Sequence, residues 1–121
     1  MNYELEHQDD CLIIKLSGVA GPNERLRIKK FLDSSLRPSD QKVIVDLGGL
    51  ENGDAVYFAG VLKAIQKEVQ LIGGKMKLCS VPVVLGRYFE ENRLDRMFDV
   101  SPSAEKAKRS FAEERDGREP G

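Results

Sequence analysis

The sequence is poor in the side chains that most often carry enzyme chemistry. Its 121 residues include one histidine, His7, and two cysteines, Cys11 and Cys79. A single histidine beside a turn leaves no Ser/His or Cys/His pair with which to activate a nucleophile. The cysteines lie in predicted strands without CxxC spacing, so we interpret both as small buried thiols in a reducing compartment. No metal site and no disulfide is predicted.

The chain also lacks an excess of charge and a long apolar run. Its 19 basic and 20 acidic residues give a net charge of −1 and are interspersed, so no nucleic-acid partner is predicted. A basic cluster within residues 25–30 is interpreted as the solvated face of a helix. No apolar run is long enough to cross a bilayer, and Met1 leads into a charged strand rather than a signal peptide. We therefore expect a cytoplasmic protein that does not insert into a membrane.

The order of hydrophobic patterns predicts one α/β domain over residues 1–112. Alternating apolar residues predict an opening β-hairpin, and the β-branched run VIVDL at residues 43–47 predicts a central strand covered on both faces. Apolar residues three or four apart predict the helices. The expected architecture is a mixed sheet of four to five strands with about four helices packed on it.

Glycine, proline and serine mark the predicted helix boundaries. Gly73 ends the second helix because glycine accepts the left-handed conformation. Ser101 is predicted to be the N-cap of the last helix, with Pro102 at its first position. The charged segment 113–121 has no apolar anchor and is predicted to be a disordered tail.

Residues 43–62 carry the most informative pattern of the chain. The strand VIVDL runs through a polar loop, GGLENGD, into an amphipathic helix that begins AVYFAG. Binding sites of α/β domains often form at such a junction, because free backbone N–H groups and the helix dipole converge there. This loop has no nucleophile and lacks the lysine and spacing of a phosphate-binding loop. The segment therefore predicts a surface for another protein.

Two motifs and the order of elements resemble the STAS domain, the fold of bacterial anti-sigma factor antagonists and of the cytoplasmic tails of sulphate transporters. VDLGGL at residues 45–50 resembles the family's V-D-L-S-G-V, and Asp54 follows at the family's distance. RLDRMFDV at residues 93–100 resembles the family's G-L-D-R-L-F stretch. The resemblance covers residues 3–111 and implies a single STAS-like domain.

The resemblance also implies where a partner binds. In the family, a D-S-[ST]-G-L motif at the start of the second helix carries a hydroxyl that a partner kinase phosphorylates. Asp54 matches the aspartate of this motif, and Ala55 and Val56 occupy the two hydroxyl positions, so neither can be phosphorylated. Without the added negative charge, the surface stays in its neutral state. The predicted partner-binding residues are Asn52, Gly53, Asp54, Ala55, Val56, Tyr57 and Phe58.

Three residues near this loop have open interpretations. Asp54 is interpreted as the N-cap of the second helix, and its carboxylate is also a candidate partner contact. Tyr57 replaces the family's glycine, so its ring either changes the partner or serves as a recognition anchor. Asp46 is interpreted as a strand-end carboxylate that is hydrogen-bonded to a neighbouring loop.

The resemblance implies a non-catalytic protein-interaction module of bacterial transcription regulation and signal transduction. It would resemble an anti-sigma factor antagonist and, without the phosphosite, would bind an anti-sigma factor kinase constitutively. The alternative is a STAS subunit of a larger assembly, either a transporter ATPase accessory or a stress-signalling scaffold. A homodimer is compatible with both.

An enzyme is the hypothesis from a different class. It would use Asp46, Asp54 and Tyr57 near the helix N-terminus, but the sequence supplies no nucleophile and base pair beside these carboxylates. We therefore predict no enzymatic activity and no cofactor. A nucleotide-binding module is permitted by the family resemblance, although no residue specifically indicates it.

Overall fold

The computed structural model describes the backbone of residues 1–117 and the side chains of residues 1–114. Within this part, five strands and four helices form the mixed α/β domain that the sequence predicts. The strands are β1 (Asn2–Gln8), β2 (Cys11–Gly18), β3 (Lys42–Leu50), β4 (Lys75–Cys79) and β5 (Asp99–Ser101). The helices are α1 (Glu24–Ser35), α2 (Ala55–Leu71), α3 (Val83–Glu91) and α4 (Ala104–Gly117), with a 3₁₀ turn at Leu94–Arg96.

The strands pair in the order β1-β2-β3-β4-β5. β1 and β2 form the predicted antiparallel hairpin, whereas β2 to β5 are parallel. Each parallel step requires a crossover, and the helices α1, α2 and α3 supply these connections. The carboxyl ends of β2, β3 and β4 therefore meet at one edge of the sheet, and the loops that lead into the three helices lie side by side.

Strand alternation divides the buried residues between two faces of the sheet. One face, with Ile14, Val45 and Leu78 among its residues, packs against α1, α2 and α3. The opposite face is covered by α4, whose Ala107 and Phe111 pack on a smaller cluster. Both cysteines belong to this smaller cluster and are buried, as the sequence predicts.

The face under α4 also buries a lysine that the sequence pattern did not reveal. Only 2% of the Lys77 side chain is exposed. Its Nζ donates to Asp99 Oδ2 at 2.6 Å and to Glu114 Oε1 at 2.7 Å, and it lies 4.8 Å from the centre of the Phe111 ring. Burial by itself lowers the pKa of Lys77, but the two carboxylates more than offset this effect and the pKa is raised. Because Glu114 belongs to α4, the ion pair joins this helix to the sheet.

Some element boundaries differ from the predicted ones. β3 continues through residues 48–50, which were predicted to be loop. Ser101 is not a helix N-cap, because it is the last residue of β5 and pairs with Cys79 of β4. The hydroxyl of Ser103 instead accepts a hydrogen bond from the Lys106 N–H at 3.2 Å, at the start of α4. The end of α2 is as predicted, with Gly73 at φ +77°.

The segment predicted as a disordered tail, residues 113–121, begins inside α4. Residues 113–117 continue this helix, and residues 118–121 lie outside the described part of the chain. None of the described helices combines the length and the apolar character that crossing a membrane requires.

Candidate functional site

Gly49, near the end of β3, is explained by the close packing of the neighbouring strand β2. A Cβ atom on Gly49 would lie 2.9 Å from Ser17 Cβ and 3.1 Å from the carbonyl oxygen of Leu16. Only glycine therefore lets β3 stay beside β2 up to its last residue, Leu50. The connection to α2 is reduced to residues 51–54, a short loop at the carboxyl edge of the sheet.

Asp54 is the N-cap of α2, as the first of its two interpretations predicts. Its Oδ1 accepts a hydrogen bond from the Val56 N–H at 2.9 Å. Its backbone carbonyl accepts from the N–H groups of Tyr57, at 3.1 Å, and Phe58, at 3.3 Å. These bonds use backbone donors that the first turn of a helix otherwise leaves unpaired, and they fix where α2 begins.

The first turn of α2 presents Val56 and Tyr57 at the surface. Val56 is 55% exposed, Tyr57 is also exposed, and Ala55 is partly buried. Phe58, by contrast, is buried in the main core, so it supports the loop from beneath and is not itself exposed to a partner. The accessible part of the predicted surface therefore combines the polar residues Asn52 and Asp54 with the exposed side chains of Val56 and Tyr57.

Gly53 fits tightly between two apolar neighbours. A Cβ atom at this position would lie 2.9 Å from Val19 Cγ1 and 3.2 Å from the Phe58 ring. The loop 51–54 is thus packed against the β2–α1 loop, which contains Val19, and against the core. This packing places an exposed valine of the neighbouring loop beside the start of α2.

A cleft lies between the start of α2 and the start of α3. It has a volume of about 370 Å³. Two consecutive residues of α3, Val83 and Val84, are 72% and 68% exposed at its rim. Its lining comprises Leu50, Glu51, Asn52, Gly53, Ala55, Phe58, Pro82, Val83, Val84 and Leu85.

The surface predicted from the sequence, residues 52–58, includes residues that line this cleft, but the prediction did not include the start of α3. The available signal was the pair of valines at the start of α3. They add apolar surface to a helix whose core contacts are already made by Leu85 and Phe89. Exposed apolar patches of this kind often mark protein interaction sites.

The groups of the enzyme hypothesis do not converge. Asp46 lies on the α4 side of the sheet, where it lines a small cavity of about 230 Å³ with Lys15, whereas Asp54 and Tyr57 lie at the start of α2, on the other side. Asp46 Oδ1 accepts from the N–H of Gly48 in its own strand, at 2.9 Å, and not from a neighbouring loop as predicted.

The histidine and the potential metal ligands are also apart from the cleft. His7 Nε2 lies 3.0 Å from Asp40 Oδ1. His7 pairs with Leu12 at the start of β2, which is the opposite end of the sheet from the cleft. Among the described residues, no three histidine, cysteine or acidic side chains are grouped as metal ligands would be.

The model of the STAS domain family matches residues 2–107. The chain belongs to the STAS domain family. This result confirms the resemblance carried by the motifs at residues 45–50 and 93–100. No curated protein sequence matches the chain.

Solved structures share the fold of this STAS domain. A Thermotoga maritima protein described as a candidate anti-sigma factor antagonist has a TM-score of 0.74 at 18% identity, covering 89% of this chain and 92% of that one. Phosphorylated SpoIIAA, a Bacillus cell fate determinant, has a TM-score of 0.61 at 15% identity, covering 90% and 99%. A chain of the stressosome, a signal integration and transduction hub, has a TM-score of 0.67 at 18% identity, covering 90% and 98%. These likenesses concern the fold, and they confirm the predicted α/β STAS-like architecture.

Proposed function

We propose that this STAS domain is a non-catalytic, cytoplasmic protein-interaction module of bacterial regulation. It acts in the manner of an anti-sigma factor antagonist and binds an anti-sigma factor kinase constitutively. The observation that carries the proposal is the exposed first turn of α2, where Ala55 and Val56 stand at the positions of the family's phosphorylatable hydroxyls. One structural neighbour, the anti-sigma factor antagonist SpoIIAA, is known in unphosphorylated and phosphorylated forms.

The chemistry of the first turn supports constitutive binding. A phosphate would add about −1.5 to −2 charges at this position. Ala55 instead lines the cleft and Val56 is exposed, and burial of apolar side chains by a partner is favourable. The surface at residues 52–58 would therefore bind without being switched off by a kinase, with Tyr57 as an exposed aromatic anchor.

A subunit of a larger assembly is the second candidate function. It is favoured by the structural likeness to a stressosome chain, 98% of which is covered by the match. A subunit held permanently in a scaffold, or on a transporter ATPase, has no need of a phosphosite. This role would also explain why both hydroxyls are absent.

Affinity capture from a lysate of the source organism separates these functions. The tagged chain is compared with Ala55→Glu, which places a carboxylate at the phosphosite position, and with Ala112→Glu, a matched control on the exposed side of α4. A glutamate in the first turn suits the helix dipole, so the first variant should fold. Capture of a GHKL-type kinase by the wild type and the control, but not by Ala55→Glu, is the expected result.

The other outcomes of this capture are equally informative. Recovery of a transporter ATPase or scaffold subunits would move the assignment to the assembly. Equal capture by all three proteins would contradict the assignment of the 52–58 surface.

Constitutive binding has a separate test with the captured kinase and ATP. The wild type should take up no phosphate and stay bound, whereas Ala55→Ser should be phosphorylated and released. Phosphorylation and release of the wild type would refute constitutive binding and leave the interaction itself intact.

A further inference from the structure

The start of α3 is a ridge between two apolar clefts. Pro82 and Val83 line the cleft beside α2, and they also line a second, more open cleft of about 660 Å³ on the side of β5. We call the two clefts and the ridge between them the double cleft. This surface extends well beyond residues 52–58 and reaches from the start of α2 to the last strand of the sheet.

The second cleft is also largely apolar. Val81, Phe89, Phe98 and Val100 line it. Val100 is exposed, and β5 pairs only with β4 among the described strands, so the outer edge of the sheet is open beside this cleft. Exposed valines on the ridge and at the edge add apolar surface of the kind that marks an interaction site.

The charges around the double cleft are mainly negative. Glu51 lines the first cleft, and Glu90 and Asp95 line the second. Arg87 is the one basic residue in the two linings. Among the side chains that the structure describes, none of these four forms an ion pair. The surface therefore has an excess of carboxylates available to a partner.

We propose that the double cleft binds a protein segment that carries a bulky apolar side chain on each side of the ridge and lysine or arginine beside them. The proposal rests on the function proposed above and specifies the chemistry of the partner's contact segment. Each cleft has the size of sites that enclose small organic groups, so each can bury one large side chain. Basic neighbours of these side chains would face Glu51 and Glu90 and complement the charge of the rim.

Charge complementarity argues against two of the possible occupants. An anionic membrane surface or an acidic peptide would be repelled by the carboxylates of the rim. A second copy of the chain also has a candidate segment, because Leu26 of α1 is exposed and has Lys29 and Lys30 one turn further along the helix. Self-association is therefore measured in the same experiment.

The experiment selects random peptides displayed on phage against the full chain, and counter-selects against Val84→Asp. The enriched peptides should combine two apolar residues with lysine or arginine. The most enriched peptide is then synthesised and titrated by fluorescence anisotropy at low and high salt. Val84→Asp should abolish binding, and Glu90→Lys should weaken it about fivefold at low salt, with a smaller effect at high salt.

Glu4→Lys is the matched control, because it makes the same change of charge at an exposed residue of β1, the strand at the far edge of the sheet. The affinity of Glu4→Lys for the synthesised peptide should equal that of the wild type. Enrichment of acidic peptides, no enrichment, or equal effects of Glu4→Lys and Glu90→Lys would overturn the proposal.

Two further outcomes separate this proposal from related ones. Sedimentation that shows self-association abolished by Val84→Asp would assign the double cleft to a second copy of the chain and overturn the proposal. In the other outcome, the capture of the kinase depends on Ala55 while the enriched peptides lack the combination of two apolar residues with lysine or arginine. This result would refute the inference and leave the proposed function standing.

Discussion

Replacing Lys77 with methionine should leave the stability of this STAS domain nearly unchanged. The substitution keeps the apolar stem against Phe111 and removes two charge-assisted hydrogen bonds, each worth about 1.5–3 kcal/mol. It also removes the desolvation penalty of the buried ammonium, which is several kcal/mol. The carboxylates left behind, Asp99 and Glu114, are 54% and 39% exposed, so water can solvate them. We expect a change in the free energy of unfolding of about 1 kcal/mol or less.

Neutralising one acidic partner should cost more than removing the lysine. Asp99→Asn leaves the buried ammonium of Lys77 with a single carboxylate, that of Glu114. The loss of one charge-assisted hydrogen bond to a buried cation should cost about 2 kcal/mol. In a Lys77→Met background, Asp99→Asn should leave the free energy of unfolding almost unchanged, because no buried ammonium group remains.

Urea unfolding at neutral pH measures all four proteins of this double-mutant cycle, since urea does not screen charges. Asp95→Asn is the control, because Asp95 is exposed and forms no ion pair among the described side chains; its effect should be close to zero. A loss of more than about 3 kcal/mol in Lys77→Met would show that the ion pair is strongly stabilising. Equal costs of Asp99→Asn in the two backgrounds would likewise refute the reasoning.

Three further predictions concern the start of α2 and the sheet. Asp54→Ala should lower the free energy of unfolding by about 1 kcal/mol through the lost N-cap, and Asp54→Asn should retain most of it. Gly53→Ala should destabilise the domain by about 1–3 kcal/mol because the new methyl group overpacks the loop. Gly60→Ala should stabilise α2 by about 0.5–1 kcal/mol, because its methyl group would meet no atom within 4 Å. Urea unfolding measures each change. Burial raises the pKa of the Cys79 thiol to about 11, above its usual value of about 8.5. The neutral Cys79 thiol therefore contributes fully to stability below about pH 8.5. This contribution is lost as the pH rises to about 11, and the free energy of unfolding decreases by about 3 kcal/mol. Urea unfolding across this pH range should show a shallower decrease in Cys79→Ala, and identical slopes would contradict the prediction.

The features that the sequence predicted correctly are those set by local interactions. The β-branched run of β3 indicates a buried strand wherever it is placed, since the signal lies in the residues themselves. Asp54 caps a backbone N–H only two residues away, and Gly73 ends α2 through its own conformation. For the same reason the position of residues 52–58 at the start of α2 could be predicted, whereas their binding of a partner stays a prediction.

Tertiary structure alone decided the features that depend on residues distant in the chain. Lys77 is buried because Asp99 and Glu114, 22 and 37 residues away, supply its partners. β3 extends to Leu50 because Gly49 packs on β2, and Ser101 belongs to a strand because β4 lies beside it.

The double cleft is another such feature, because folding brings the start of α3 beside the start of α2. By itself, the sequence determined the elements, their order and the absence of a hydroxyl group at residues 55 and 56, since these features depend on neighbouring residues. The partners of the buried charge and the shape of the binding surface were decided only by long-range packing, which local patterns do not encode.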